Sequence, residues 1–309
     1  MVQENSIKNK VIVVCGPTAS GKSKLAIDLA KRLDTEIICA DALTVYKNLN
    51  VGTAKVTVEE MQGIKHHLID VADPFSTFSV GDYKELAEPI LKELINKGKI
   101  PIICGGTGFY IKSLLFDFSY GNSVANLDAR EKFFNLAEEP GKEYVFEILK
   151  KVDPKSAEKL HCNDLKRVVR ALEIYESGYL KSDIVDTEIP KYNYKAYSFD
   201  YDRELLYERI NIRVDQMIEN GLIEEVKGLI DIGITNQNQS LQAIGYKEIY
   251  SYLTGETSLD KAIDLIKLNT RHYAKRQITF FKKLPNHFLL KPNDKNAIDK
   301  ILENLWTRK

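Results

Sequence analysis

At 309 residues the chain can bury one large core or two modest ones, so a main domain with an insertion or appendage is expected. Its 44 Lys and Arg balance 44 Asp and Glu, and 44% of its residues are apolar. That is an ordinary globular composition, and the zero net charge excludes a global positive field, so any nucleic-acid role must rest on local basic patches.

The first element in chain order is "VIVVC" (11–15), a compact β-branched run that reads as a buried strand. It is too short for a signal-peptide core. It leads into Gly16, Pro17, Thr18, Ala19, Ser20, Gly21, Lys22 and Ser23, which fit G-x-x-x-x-G-K-[ST]. Between a strand and the amphipathic "KSKLAIDLAKRL", this loop predicts a polyphosphate site built from amides and a helix N-terminus. Lys22 adds a point charge there, and Ser23 can reach a metal. The pattern does not say which polyphosphate.

"EIICA" (36–40), "HHLID" (66–70) and "IPIIC" (100–104) read as further strands, with a helix over "SVGDYKELAEPILKELINKG" between the last two. Strand–helix alternation predicts an α/β core whose parallel sheet is flanked by helices, with ligands at the carboxyl ends of the strands. Gly16–Ser23, Asp41 and Gly105–Thr107 all follow a strand and should share one crevice. Asp41 suits a general base or metal ligand as well as it suits a helix N-cap. "CGGTGFY" allows close backbone approach, as an ordinary strand-to-helix turn also does.

Beyond residue 117 the texture turns helical, predicting a small all-helical insertion over 117–193 between core segments 1–116 and 194–309. "YKAYSFDYD" (194–202) reads as a return strand. Helices are expected near 203–220, 221–232, 243–254 and 258–282, with a last strand at "HFLLK" (287–291). Basic residues cluster in "HCNDLKRVVRALE", around Lys166, Arg167 and Arg170. They cluster again in "RHYAKRQITFFKK", where Arg271, Lys275 and Lys282 share a stripe with Tyr273 and Phe280 interleaved. Cations mixed with aromatics suit phosphate contact and base stacking, although a charged helix face is more often merely solvated. "DRELLYERINIRVDQM" offers Arg203, Arg209 and Arg213, of which Arg203 and Arg209 are candidates to flank an anion. Cys15, Cys39, Cys104 and Cys162 form no C-x-x-C pair and read as reduced thiols. His66 and His67 lack a third ligand at metal spacing. No stretch approaches membrane-spanning length, and a cytoplasmic protein is expected.

Taken in order, "GPTASGKS", "AD…VYK.LNVGTAK", "HHLID…DP…FSVGDY", "GGTGFY", "H.ND..R..RALE", "DR..L..RI..R...M", "QAIGYKE" and "R.YAKRQ.T.F" resemble the tRNA dimethylallyltransferases over residues 11 to about 282. The resemblance implies transfer of a dimethylallyl group from its diphosphate to N6 of the adenosine immediately 3′ of the anticodon. It implies Mg²⁺ as cofactor, with Ser23 as its candidate ligand, and the tRNA anticodon stem-loop and dimethylallyl diphosphate as partners of a monomeric protein. Thr18, Lys22, Asp41, Arg203 and Arg209 would be catalytic, and residues 16–23 would hold the donor diphosphate. Asp41, Ala42, Leu43, Thr44, Thr107 and Arg130 would face tRNA, as would Lys166, Arg167 and Arg170. So would Gln242, Gly245, Tyr246 and Lys247, and from the last basic cluster Arg271, Lys275, Arg276, Gln277, Phe280 and Lys282. Ala42 and Thr44 stand where the family usually has Ser and Gln, and Phe280 where Trp is common. The alternatives are a P-loop kinase of a small molecule or nucleotide, an isopentenyltransferase of free adenine nucleotides, and a non-catalytic RNA-binding protein.

Overall fold

Val11 to Cys15 point alternately to two faces, and each is at most 1% exposed, which requires cover on both sides. This strand, β1 (Lys10–Cys15), lies inside a six-stranded sheet with β2 (Ile37–Cys39), β3 (His66–His67), β4 (Ile102–Gly105), β5 (Asn193–Phe199) and β6 (His287–Leu290). The order is β3-β2-β4-β1-β5-β6 and every pairing is parallel. The α/β core read from the alternating pattern is therefore what the chain builds. The computed structural model describes residues 9–117, 126–184 and 189–306. By its contacts the chain divides into two units, Met1–Leu115 with Pro190–Lys309, and Phe116–Ile189.

In the first unit α1 (Lys22–Leu33) lays Leu25, Ala26 and Leu29 on Ile12, Val14 and Ile102 of the sheet. A short α2 (Val58–Met61) precedes β3, and α3 (Val80–Asn96) starts from a Ser79–Asp82 capping box. The expected strand at 66–70 is cut to two residues, because Leu68 (φ +65°) and Asp70 (φ +55°) turn into the left-handed region, which no strand continues through. After β4, α4 (Gly108–Leu115) leads out to the second unit.

That unit contains α5 (Leu127–Leu136), α6 (Lys142–Val152), α7 (Pro154–Ala157) and α8 (Leu165–Glu176) around Phe133, Val145, Leu149, Val168 and Leu172. Within its core Glu173 has no side-chain exposure. It receives Arg130 at 3.0 Å, Arg170 at 2.8 Å and the Asn126 N–H at 3.0 Å. Residues 118–125 and 185–188, which the helical reading included, lie outside the described residues.

The chain returns through β5 to α9 (Arg203–Glu219), α10 (Leu222–Asp231), α11 (Tyr246–Leu253) and the 23-residue α12 (Leu259–Phe281), and after β6 ends in α13 (Ala297–Trp306). Leu206 and Ile210 of α9 and Ala274 of α12 pack against Ala19, which seats both helices on the phosphate loop. Among the described residues no helix is long and apolar enough to cross a membrane.

Candidate active site

The loops after β1, β2 and β4 meet at the carboxyl edge of the sheet, where a parallel sheet binds its ligands. The approach is close. A Cβ on Gly105 would lie 2.0 Å from the Ala40 carbonyl oxygen, so only glycine lets the end of β4 lean on the turn that carries Asp41.

At the phosphate loop the start of α1 is left open. No side chain caps α1 and no acid occupies its first turn, so the positive end of the helix faces outward. Lys22 begins α1, and its Nζ donates to the Pro17 carbonyl at 3.3 Å. Arg209 Nε donates to the carbonyl of Ala19, a residue held at φ +61°, at 2.8 Å. Arg213 Nη2 donates to Thr53 O at 3.3 Å, while its buried Nε has no partner. Burial lowers the pKa of Lys22, with Arg213 adding to the effect and Asp41 opposing it. Burial also lowers that of Arg213. Among the described residues none of these three cations makes a salt bridge. Ser20 Oγ and Thr44 Oγ1 are buried and unpartnered as well. An anion with several acceptor oxygens would satisfy all of these groups.

Two cavities meet at Lys22 and Arg213. One, of about 730 Å³, is walled by residues 19–24, Arg209 and Arg213. The other, of about 430 Å³, is lined by Thr18 and Asp41 and by apolar Ile210, Val214, Met217 and Ile266. A cationic cradle thus opens into an apolar chamber containing a carboxylate. Asp41 Oδ1 accepts the Leu43 N–H at 3.0 Å, and the neighbouring Ala42 N–H goes to Thr107 Oγ1 at 2.9 Å.

Two side chains of α12 tie the chamber together. Gln277, 5% exposed, accepts the Thr18 N–H at 3.0 Å and donates to Gly106 O at 2.9 Å. Tyr273 also lines the chamber, where burial, with Asp41 nearby, pushes its pKa up to about 12 against the opposing effect of Thr107, Arg276 and Gln277.

Of the residues expected in the site, the structure gathers Thr18, Lys22, Asp41, Ala42, Leu43, Gln242, Lys247, Arg276 and Gln277 on the chamber. It sorts the arginines of α9 differently. Arg209 and Arg213 are four residues apart and share a face toward the cradle. Arg203 lies on another face, in a separate 310 Å³ depression with Gly16, Pro17, Lys275 and Lys282. Arg213, not singled out as a diphosphate ligand by the sequence, thus joins Arg209 at the cradle, and its i+4 spacing from Arg209 is the signal for it, while Arg203 lies beside Gly16 and Pro17 of the same loop.

Three expected RNA contacts are buried instead. Gly245 donates its N–H to Glu248 at 2.8 Å, and Gln277 is the brace just described. Tyr246, with no exposure, donates to Glu225 at 2.5 Å, and Glu225 in turn holds the Asn50, Val51 and Gly52 amides. Arg271 is tied to Asn211 at 2.8 Å. Arg130 and Arg170 are committed to Glu173, whereas Lys166 and Arg167 are exposed and Arg167 pairs with Asp164 at 3.1 Å.

The profile of the IPP transferase family matches residues 44–284. The chain belongs to this family. It is 46% identical over 301 residues to a tRNA dimethylallyltransferase of Acetivibrio thermocellus, covering 96% of each chain. It is 45% identical, with 96% of each chain covered, to one of Caldanaerobacter subterraneus subsp. tengcongensis. A full-length tRNA isopentenylpyrophosphate transferase from Bacillus halodurans superposes with a TM-score of 0.72 at 43% identity, over 96% of this chain and 95% of that one. A eukaryotic dimethylallyltransferase acting on tRNA superposes at 0.81 and 31% identity, over 96% of this chain and 78% of that one. Family membership makes the chain an enzyme of the tRNA prenyltransferase type.

Proposed function

We propose that this chain, a cytoplasmic monomer, transfers the dimethylallyl group of dimethylallyl diphosphate to N6 of the adenosine immediately 3′ of the anticodon in tRNA, releasing diphosphate. The observation that carries the reading is the junction at Lys22 and Arg213, where a cationic cradle meets an apolar chamber holding Asp41. Diphosphate in the cradle lays the C5 chain into the chamber. As the allylic C–O bond breaks, charge accumulates on the leaving diphosphate. The loop amides, Lys22, Arg209 and Arg213 are already aimed at it. The adenine N6 forms the new C–N bond, and the proton it sheds goes to Asp41. The adenine reaches Asp41 only by leaving its stack, which costs least in a single-stranded loop.

Mg²⁺ fits this donor set in one way. Among the described residues no cluster of three His, Cys, Asp or Glu could hold an ion, so the Ser23 hydroxyl would share it with substrate oxygens and water, as Mg²⁺ commonly allows. Bound there, it would add Lewis-acid neutralisation of the diphosphate.

The test is incubation with labelled dimethylallyl diphosphate, Mg²⁺ and unmodified tRNA whose anticodon ends in A, followed by nucleoside analysis. N6-prenylated adenosine is expected, and Asp41→Ala should lower transfer by about 10²–10⁴-fold while tRNA binding persists. ATP-dependent phosphorylation of a small metabolite, or equal prenylation of AMP, would overturn the reading.

A further inference from the structure

Phe109 is 67% exposed, two residues beyond Thr107, whose hydroxyl accepts the Ala42 N–H. Its ring stands edge-on to Phe280, with centroids 5.4 Å apart and planes at 62°. Phe280 is fixed from below: a Cβ on Gly108 would lie 2.2 Å from its ring, so the ring rests directly on the backbone that opens α4. Beside the pair lies a cavity of about 570 Å³, ringed by Lys112, Lys275, Arg276 and Lys283, with no carboxylate lining it among the described residues. Lys112 Nζ sits 5.7 Å from the Phe280 centroid.

An exposed aromatic beside four cations is matched by a ligand that is flat, apolar on its faces and anionic along its edge. A nucleotide has that combination. Arg276 lines both this cavity and the reaction chamber, so the two lie side by side. Phe280 lies three residues past Gln277, roughly 4.5 Å along the helix axis, about the step from one nucleotide to the next.

We propose that Phe109 and Phe280 form a stacking platform for the unpaired nucleotide adjoining the modified adenosine, with its phosphates held by Lys112, Lys275, Arg276 and Lys283. This rests on the RNA acceptor proposed above and adds a second base-contacting position, outside the chamber. With a neighbouring base stacked here, the adenosine enters the chamber from a held strand.

The full-length protein is titrated, without donor, into an anticodon stem-loop RNA carrying 2-aminopurine either 5′ or 3′ of the acceptor adenosine. Binding should quench one of the two labels. Phe109→Ala should abolish the quench and weaken binding about tenfold, Phe109→Trp should retain both, and in transfer assays the loss should fall on KM for RNA and not on kcat. Replacing Lys112 and Lys283 together by Gln should lower the salt slope of binding by about one to two, while Phe109→Ala leaves that slope unchanged. Quenching at neither position, or a Phe109→Ala variant with unchanged quench and RNA affinity, overturns the platform. Because binding is read without donor, absence of any prenylated product would count against the proposed reaction and not against the platform.

Discussion

The two units treat buried charge in opposite ways. In the helical unit Arg130 and Arg170 converge on Glu173, a carboxylate with no exposed side-chain surface, and its needs are met by two guanidinium groups and a backbone amide. At the phosphate loop Lys22, Arg209 and Arg213 line one cavity and reach backbone carbonyls in place of a carboxylate, with depressed pKa values at two of them and unpartnered polar atoms around them. The same residue types brace one unit and prime the other, and the difference is the presence of a buried partner. Cations that have found their carboxylate are structure, and cations that have not are waiting for substrate.

The contrast can be broken most sharply at Arg213. Arg213→Met should lower kcat/KM for transfer by about 10³-fold, the scale on which preorganised charge acts, yet change unfolding free energy by less than about 1 kcal/mol, because no buried carboxylate depends on it. A large loss of stability in urea denaturation would erase the distinction between the units. The converse test is Glu173→Gln, which should cost about 3 kcal/mol of stability by stranding two arginines while leaving the donor KM in place. Burial alone would push Glu173 up, but Arg170 and Arg130 outweigh it and hold its pKa below the ordinary value of 4.5. Its contribution is therefore complete above that value and is lost as pH falls through the lower folded one. The variant's acid unfolding profile should lack that limb. The smallest effect is expected at Gln277, an uncharged brace. Gln277→Met should raise the donor KM about tenfold by releasing the Thr18 amide, and Gln277→Glu, which keeps that acceptor, should recover part of it. Equal donor KM values in the two variants would assign Gln277 to packing alone.

Much of this was legible beforehand because it is local. The β-branched runs placed the strands, and the glycine and lysine spacing placed the cradle. Position after a strand placed Asp41 and Thr107 on one edge. What stayed hidden depends on partners far away in the chain. Glu225 holds the 50–52 turn from 173–175 residues on and is itself held by Tyr246, and nothing in "QAIGYKE" distinguishes a buried tyrosine from an RNA contact. Arg130 reads as a surface cation until Glu173, 43 residues later, is seen beneath it. That Arg213 faces the same way as Arg209 could have been read from helical phase alone, since residues four apart share a face and residues six apart, such as Arg203 and Arg209, do not.

Gln277 holds Thr18 with one end of its amide and Gly106 with the other, and so acts as an indexing pin for α12. A slip of one residue would turn the helix by about 100° and advance it about 1.5 Å. That would swing Tyr273 off Thr107 and Phe280 off Gly108, and neither half of the amide would then find its mate. Chamber and outer aromatic face thereby keep a fixed phase, and the distance between the base that reacts and the base beside it is set by one buried side chain.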